Sequence, residues 1–367
     1  MSIYRGHIGI LGGGQLGRML ALAGIPLALR FRFLDPAPDA PASDVGELIC
    51  AAYDDPAALA TFGEGLDLVT YEFENVPAAA VAQLAPQLPV FPPPRALETA
   101  QDRLFEKQLF QACDIPVPPY AAVSTAEELQ QAVNRIGTPA LLKTRRFGYD
   151  GKGQVPVNHP AEAEAAWQQV QNVPCLYEQR VAFEREVSVL AARSRTGEIA
   201  IYPLVENIHR NGILFISRAP APNAQHLQEQ AAAYAQRVLE ALDYVGLLAI
   251  EFFVVDNQLL ANEMAPRVHN SGHWTIEGAE TSQFAQHLRA VLGLPLGSTR
   301  ARGHVAMINI LGTIPAIEQL LALPGTHVHL YRKAPRSGRK LGHVTVRADS
   351  VDEREAAVEA VLKILEP

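Results

Sequence analysis

Cysteine is scarce in this 367-residue sequence: only Cys50, Cys113 and Cys175 occur, an odd number and far apart. That excludes a disulfide framework and a cysteine-based zinc site, and it fits a reducing, cytoplasmic compartment. Basic charge is in deficit, 31 Lys and Arg against 39 Asp and Glu, a formal net charge of −8. A surface that tracks a nucleic-acid backbone is thereby excluded, although a local basic pocket for one small phosphorylated ligand is not. The apolar run Met19–Leu29 is interrupted by Gly24 and Pro26 and flanked by arginines. It falls short of the roughly 20 residues that span a bilayer. The start, Met-Ser-Ile-Tyr-Arg, leads into Gly-Ile-Leu-Gly-Gly-Gly and not into a signal-peptide pattern. Internal repeats and low-complexity tracts are absent, as is any Ser/His/Asp or Cys/His set that would supply a covalent nucleophile. What remains is an ordinary globular composition, 48% hydrophobic and 19% charged, with length for two or three domains at about 150 residues each.

Hydrophobic periodicity sets the organisation. Residues 7–11 read as a buried strand, and Leu16, Met19, Leu20 and Ala23 follow at helical spacing. Further strands are expected at 31–34, 48–52 and 66–74, so strands and helices alternate as in a parallel α/β sheet. Five prolines within 86–94 mark a boundary near 95–100. A short helix with Phe105, Leu109 and Ala112 on one face comes next. Ser124 and Thr125, with Glu127 and Glu128 three residues on, are candidate capping boxes. Later strands are predicted at 140–144, 175–179, 186–191, 199–206 and 213–217. A long helix carries Leu227, Ala231, Tyr234, Val238 and Leu242, and a hairpin joins 247–255 to 258–264.

Two glycine loops and one acidic hairpin carry the chemistry. Gly12-x-Gly14-x-x-Gly17 lies between a strand and a helix, where backbone amides hold phosphate, and Asp35 ends the next strand, where a dinucleotide enzyme binds ribose. The second loop, Gly148-Tyr149-Asp150-Gly151-Lys152-Gly153-Gln154, follows Lys143 at a strand end. It lacks the Walker A spacing and, by itself, reads either as a flap over polyphosphate, with Lys143 as a point charge, or as a surface hairpin loop with solvated charges. In the hairpin, a three-residue turn at Asp256–Gln258 sets Val255 against Leu259 and Glu251 against Glu263; a two-residue turn sets Glu251 against Asn262 instead. Facing carboxylates repel unless a cation lies between them, and oxygen donors suit Mg²⁺. Arg267, His269, Asn270 and His273 follow within ten residues, and Lys333, Arg336, Arg339 and Lys340 form a second basic cluster. The first offers donors to a phosphate or an anionic substrate, whereas the second, in a Gly/Pro-bearing loop, reads by itself as solvated charge.

The lysine strand, the glycine-rich flap, Glu178-Gln179-Arg180-Val181 and the Glu…Asn-Glu hairpin together resemble the ATP-grasp ligases. Within them, residues 12–19, 71–77, 148–154 and 265–275 resemble the 5-(carboxyamino)imidazole ribonucleotide synthase family of purine biosynthesis. The resemblance runs from residue 7 to about 346. It implies an α/β ATP-grasp fold with an N-terminal Rossmann-like parallel domain, 1–100. A small ATP-grasp subdomain, 101–180, a catalytic subdomain, 181–296, and a small C-terminal α+β region, 297–367, complete the chain. ATP and bicarbonate would give carboxyphosphate, and the 5-amino group of aminoimidazole ribonucleotide would then be carboxylated. In family terms Arg103, Lys143, Gly148 to Gln154, Glu178 to Val181, Glu186, His209, Asn262 and Glu263 would contact ATP. Glu251 and Glu263 would hold Mg²⁺. Tyr149, Asp150, Lys152, Arg267, His269, Asn270, Lys333 and Arg339 would surround imidazole nucleotide and bicarbonate. Gly14, Gln15, Leu16, Glu72 and Glu74 would serve the same substrate, and a homodimer is expected. Phe147, Val268 and Ser337 stand where the family usually has glycine, proline and proline. Two other readings remain open here: an ATP-grasp ligase with another acceptor, such as formate or an amino acid, and a Rossmann dinucleotide oxidoreductase or sensor.

Overall fold

The computed structural model describes residues 6–148 and 153–366, so Tyr149, Asp150, Gly151 and Lys152 lie outside the described residues. Four parallel strands, β1 (His7–Leu11), β2 (Arg30–Asp35), β3 (Glu47–Cys50) and β4 (Leu68–Tyr71), form the first sheet in the order β3-β2-β1-β4. Consecutive apolar residues suit a sheet covered on both faces. Ile8 and Ile10 pack with Leu16, Met19 and Leu20 of the helix Gln15–Gly24, whereas Leu11, Val69 and Tyr71 pack with Leu59 and Phe62 on the other side. The chain leaves β1 toward β2 on one side and receives β4 on the other. The first glycine loop therefore sits at a topological switch point, where crevices open in such sheets.

An antiparallel second sheet contains β5 (Tyr120–Val123), β6 (Ala140–Thr144), β7 (Gln154–Val157) and β8 (Cys175–Gln179), in the order β5-β8-β6-β7. The third sheet has nine strands: β9 (Arg185–Arg193), β10 (Ile199–Ile201), β11 (Val205–Arg210), β12 (Ile213–Ala219), β13 (Gly246–Val255), β14 (Gln258–Ala265), β15 (His304–Leu311), β16 (Thr326–Leu330) and β17 (Lys340–Ala348). Its path is β14-β13-β9-β11-β12-β15-β17-β16, with β10 beside β9, and every pairing is antiparallel. Period-two burial divides β9 between two cores. Val187, Val189 and Ala191 meet the helix Gln225–Ala241, and Leu190 and Ala192 meet Phe284, Leu288 and Val291 of the helix Gln283–Leu292. No helix among the described residues is long and apolar enough to cross a membrane.

Three sequence expectations need correction. The segment 199–206 is two strands, β10 and β11, because Pro203 has no N–H for a ladder. The helix Arg103–Ala112 does not bury Phe105, which is 48% exposed; its inner face is Glu106, Lys107, Leu109 and Phe110. The two candidate capping boxes collapse into one arrangement: Thr125 caps through the Glu128 N–H, and the Glu128 carboxylate takes the Ser124 N–H at 2.6 Å.

Candidate active site

One cavity of ≈ 940 Å³ is walled by strands of the second and third sheets and by the segments that follow β1 and β4 of the first. The first glycine loop supplies one wall. Its amides are already engaged: the Gly13 N–H donates to Asp35 at 2.7 Å, and those of Gly14 and Gly17 donate to Glu72, the latter at 2.6 Å. A Cβ at Gly12, where φ is +101°, or at Gly14 would strike the Glu72 side chain. Asp35 also accepts from Ala37 and Tyr53. The dinucleotide expectation therefore fails, because carboxylates occupy the amides a pyrophosphate would need and Asp35 is committed to the turn. Burial pushes the Glu72 carboxyl up, against the opposing pull of the Gly17 and Gly14 amides. Beyond the loop, Gln15, Leu16 and Glu74 line the cavity, and Glu74 pairs with Arg267 at 2.5 Å.

Lys143 and Glu178 come from adjacent strands. Leu141 pairs with Glu178 and Lys143 with Leu176, so the two charged residues are diagonal neighbours on one face. The Lys143 ammonium donates to Glu178 at 2.6 Å, and Lys107 reaches the other Glu178 oxygen at 3.0 Å. All three side chains are buried. Despite burial, the two ammoniums hold the Glu178 carboxyl down at about 2. Lys143 itself is shifted down, first by burial and then by Lys107 and Arg103, which outweigh its share of one carboxylate. A cation so placed gains by meeting a phosphate.

The acidic hairpin pairs Glu251 with Glu263, but not through the turn expected. Val255 pairs with Gln258, not Leu259, so the turn has two residues, Asp256 and Asn257, both with positive φ. Phe252 then faces Ala261, and a bulge at Asn262 restores Glu251 opposite Glu263. Burial and the neighbouring Glu263 push the Glu251 carboxyl up to about 8. Glu263 stays below the ordinary range because Arg103, bonded to it at 3.1 Å, and Lys143 outweigh its burial. Among the described residues no three His, Cys, Asp or Glu groups converge on a metal position. Two carboxylates and the Asn262 oxygen nonetheless suit Mg²⁺, which commonly takes one or two protein carboxylates and completes its shell with phosphate and water.

A directional hydrogen-bond chain orders His269. Ser217 donates to Asn207 at 2.8 Å, Asn207 to Ser188 at 2.9 Å, and Ser188 to Ser271 at 2.8 Å. Ser271 then has its own proton for His269 Nδ1 at 2.9 Å, which leaves Nε2–H facing Glu251 at 3.2 Å. Burial and the charge of Arg267 keep this imidazole neutral. Asn270 forms a reciprocal amide pair with Asn309. His209 pairs with Glu186, and this contact, with Glu251, raises its pKa against the effect of burial. Opposite them, Lys333 and Arg339 enter from the C-terminal region, and burial lowers Lys333 to about 8.

Gly148, Gln154, Gln179, Arg180, Val181, Glu186, His209 and Asn262 also line this cavity. Gly14 and Gly153 do not. Gly14 is held by Glu72, and Gly153, at φ +69°, accepts the Thr144 N–H at 2.8 Å and has no room for a Cβ beside Thr144. Phe147 adopts φ +62°, a conformation that glycine enters without strain. Sequence reasoning missed Phe183 and Phe253, which stack at 4.8 Å on the cavity wall, and the buried pair Glu106 and Lys107. An aromatic three residues beyond Arg180 was the available signal for the first; nothing in the charge pattern distinguished the second from a solvated helix face.

An N-terminal parallel α/β domain, a buried strand lysine on a four-stranded antiparallel sheet and an opposing carboxylate hairpin define an ATP-grasp enzyme. The family comparisons agree. The ATP-grasp domain matches residues 108–284, the ribonucleotide synthetase preATP-grasp domain 6–101, and the phosphoribosylaminoimidazole carboxylase C-terminal domain 305–357. The N5-carboxyaminoimidazole ribonucleotide synthase of Pseudomonas aeruginosa is 53% identical over 359 residues, spanning 97% of this chain and 99% of that one. The crystal structure of N5-carboxyaminoimidazole ribonucleotide synthetase from Thermus thermophilus superposes with a TM-score of 0.95 at 56% identity, covering 98% of this chain and 99% of that one. The synthase from Aspergillus clavatus, solved with ADP and 5-aminoimidazole ribonucleotide, gives 0.92 at 30% identity, with 99% of each chain covered. The chain belongs to the N5-carboxyaminoimidazole ribonucleotide synthase family.

Proposed function

We propose that this protein carboxylates the 5-amino group of 5-aminoimidazole ribonucleotide with ATP and bicarbonate, releasing ADP and phosphate in purine biosynthesis. The single observation that carries the reading is the convergence on one cavity of three charge sets: Lys143 with Arg103, Glu251 with Glu263, and Arg267 with Lys333 and Arg339. A bicarbonate oxygen attacks the γ-phosphorus, ADP leaves, and the product is carboxyphosphate. The substrate's amino nitrogen then attacks the carboxyl carbon, the C–O bond to phosphate breaks, and the nitrogen loses a proton. Such transfer depends on positioning and charge neutralisation more than on a nucleophile.

In this scheme Arg103, Lys143, Gly148 to Lys152, Gln154, Glu178 to Val181, Glu186, His209 and Asn262 serve ATP, Gly153 fixes the loop's return against Thr144, and Phe183 and Phe253 offer the base an apolar wall. Glu251 and Glu263 hold Mg²⁺, which when bound neutralises phosphate charge. Arg267, His269, Asn270, Lys333 and Arg339, with Tyr149, Asp150 and Lys152, surround the nucleotide substrate and bicarbonate. Gln15, Leu16 and Glu74 line its approach, while Gly14 and Glu72 fix the loop that carries them. Neutral His269, its Nε2 3.2 Å from Glu251, leaves its ring unavailable as an acid, so it orients rather than protonates. The four segments 1–100, 101–180, 181–296 and 297–367 are the working units. We place the enzyme in the cytoplasm, which suits its three free cysteines, and as a homodimer, for which exposed Leu22, Ile25 and Leu27 offer an apolar patch. ADP release measured with each substrate omitted in turn tests the reaction. Labelled bicarbonate must appear in an acid-labile carbamate; ADP release that ignores the imidazole nucleotide would point instead to another acceptor.

A further inference from the structure

Glu251 and Glu263 face each other only because β14 carries one extra residue. With the two-residue turn at Asp256 and Asn257, an unbroken ladder would set Glu251 against Asn262 and turn Glu263 to the other face, since a one-residue slip inverts every side chain. The carboxylate pair therefore depends on whatever stabilises the bulge. β14 is an edge strand, so its outer backbone groups have no strand partner.

The helix Arg103–Ala112 meets that edge with one charged face. Arg103, Glu106 and Lys107 stand at i, i+3 and i+4. Lys107 Nζ donates to the carbonyls of Ala261 at 3.2 Å and Asn262 at 2.9 Å. Glu106 accepts the Met264 N–H at 2.6 Å, and Arg103 reaches the Glu263 carboxylate at 3.1 Å. Four consecutive residues, 261–264, are thus gripped from one side, and they include the bulge. Glu106 and Lys107 are only 3% and 2% exposed, so they are not surface charges. Burying an ammonium and a carboxyl is unfavourable unless their bonds are made. Here each is bonded to the main chain of β14, and Lys107 pairs in addition with Glu178.

We propose that Glu106 and Lys107 are positioning residues for the divalent cation: they select the bulged register of β14 and so keep both carboxylates on one face. Both act through β14: their bonds run to its main chain and, for Lys107, to Glu178. The inference rests on the reading of Glu251 and Glu263 as the cation's ligands. It adds that the register of the hairpin is imposed from the helix, with Lys107 also joining it to the Glu178–Lys143 pair on the second sheet.

The test uses the full-length protein and two readouts: the free Mg²⁺ concentration for half-maximal ADP release, and Mn²⁺ binding in the presence of ADP, followed by electron paramagnetic resonance. Lys107→Met removes the three bonds with little change in volume. Both cation constants should weaken by about tenfold or more, the scale at which supporting residues act on a metal site. KM for the imidazole nucleotide should stay within about twofold, and Lys107→Arg, which keeps charge and donors, should recover most of the loss. Glu106→Leu carries the same expectation and stands in if Lys107→Met folds poorly. Unchanged Mg²⁺ and Mn²⁺ constants with only a lower melting temperature would overturn the proposal, leaving a purely structural role. If the wild-type protein with ADP binds no Mn²⁺, the parent reading of the carboxylate pair fails instead.

Discussion

Replacing Glu178 by glutamine keeps the side chain's size and removes one buried charge. Its carboxylate is the shared partner of Lys143 at 2.6 Å and Lys107 at 3.0 Å, with all three side chains at most 5% exposed. A carboxyl held at about 2 instead of the ordinary 4.5 favours its charged form by about 3 kcal/mol. Breaking a buried pair from one side commonly costs about 3–5 kcal/mol, because the other charge is left uncompensated. We therefore expect a loss near the lower figure, about 3 kcal/mol, with the Lys143 ammonium released from its anchor. ATP should then lose one charge-assisted contact, about 1.5–3 kcal/mol, and its KM should rise by about 10- to 100-fold. The pH dependence follows from the sign. The folded pKa lies below the unfolded one, so the stabilisation is complete above about pH 4.5 and vanishes as pH falls through about 2. Urea unfolding of wild type and Glu178→Gln from pH 3 to 8 should give curves separated by a constant gap above about pH 5 that narrows below pH 4. A variant with wild-type stability and ATP KM, or a gap that widens in acid, would refute the account of this triad.

Glu263→Gln should lower ATP turnover by roughly 10²–10³, the scale of one electrostatic contact to a charged transition state. Its melting temperature should fall only slightly, since Arg103 and Lys143 outweigh Glu251 among its neighbours; normal turnover with unchanged Mg²⁺ dependence would remove the cation site. Lys333, lowered to about 8 by burial, is charged below that pH, so KM for the anionic imidazole nucleotide should climb as pH passes from 7 to 9, by up to about tenfold per unit; a flat profile would exclude Lys333 from that contact. Arg267 already spends donors on Glu74 and on the Val268 carbonyl, and the planar fork left over is not reproduced by lysine. Arg267→Lys should therefore raise the same KM by about tenfold or more, and an unaltered value would count against that role. Gly14→Ala should force Glu72 off the glycine loop, weakening nucleotide-substrate binding while sparing ATP, as isothermal titration with each ligand would report.

Much of this architecture was legible because hydrophobic periodicity survives in it. The alternation along β9 and the three-to-four spacing of Leu227, Ala231, Tyr234 and Val238 are direct consequences of which faces are buried. The hairpin was legible in a different way: Glu251 does face Glu263, yet through a two-residue turn and a bulge, because spacing arithmetic assumes an uninterrupted ladder. Glu106 and Lys107 escaped notice since charge on a helix usually means solvent, and only tertiary packing turns that face inward. The dinucleotide signature misled for a related reason. Gly12, Gly14 and Gly17 require a tight turn, but a sequence does not reveal that Asp35 and Glu72 fill it. The relay from Ser217 to His269 joins residues from four separate segments, a convergence that no local pattern encodes.

The third sheet runs from the strands of 185–265 into those of 304–348 without a seam, since β12 pairs with β11 on one side and β15 on the other. A chain cut after the helix Gln283–Leu292 would retain Lys143, Glu251 and Glu263, yet it would bare the flank of β12 from Ile216 to Ala219. Such a row of unpaired backbone groups invites strands from other molecules, and the expected fate of the fragment is aggregation rather than partial activity. The last three strands thus act as a finishing hem. They end the sheet at β16, five residues long and bearing His327 and His329, where further growth meets a short polar rim.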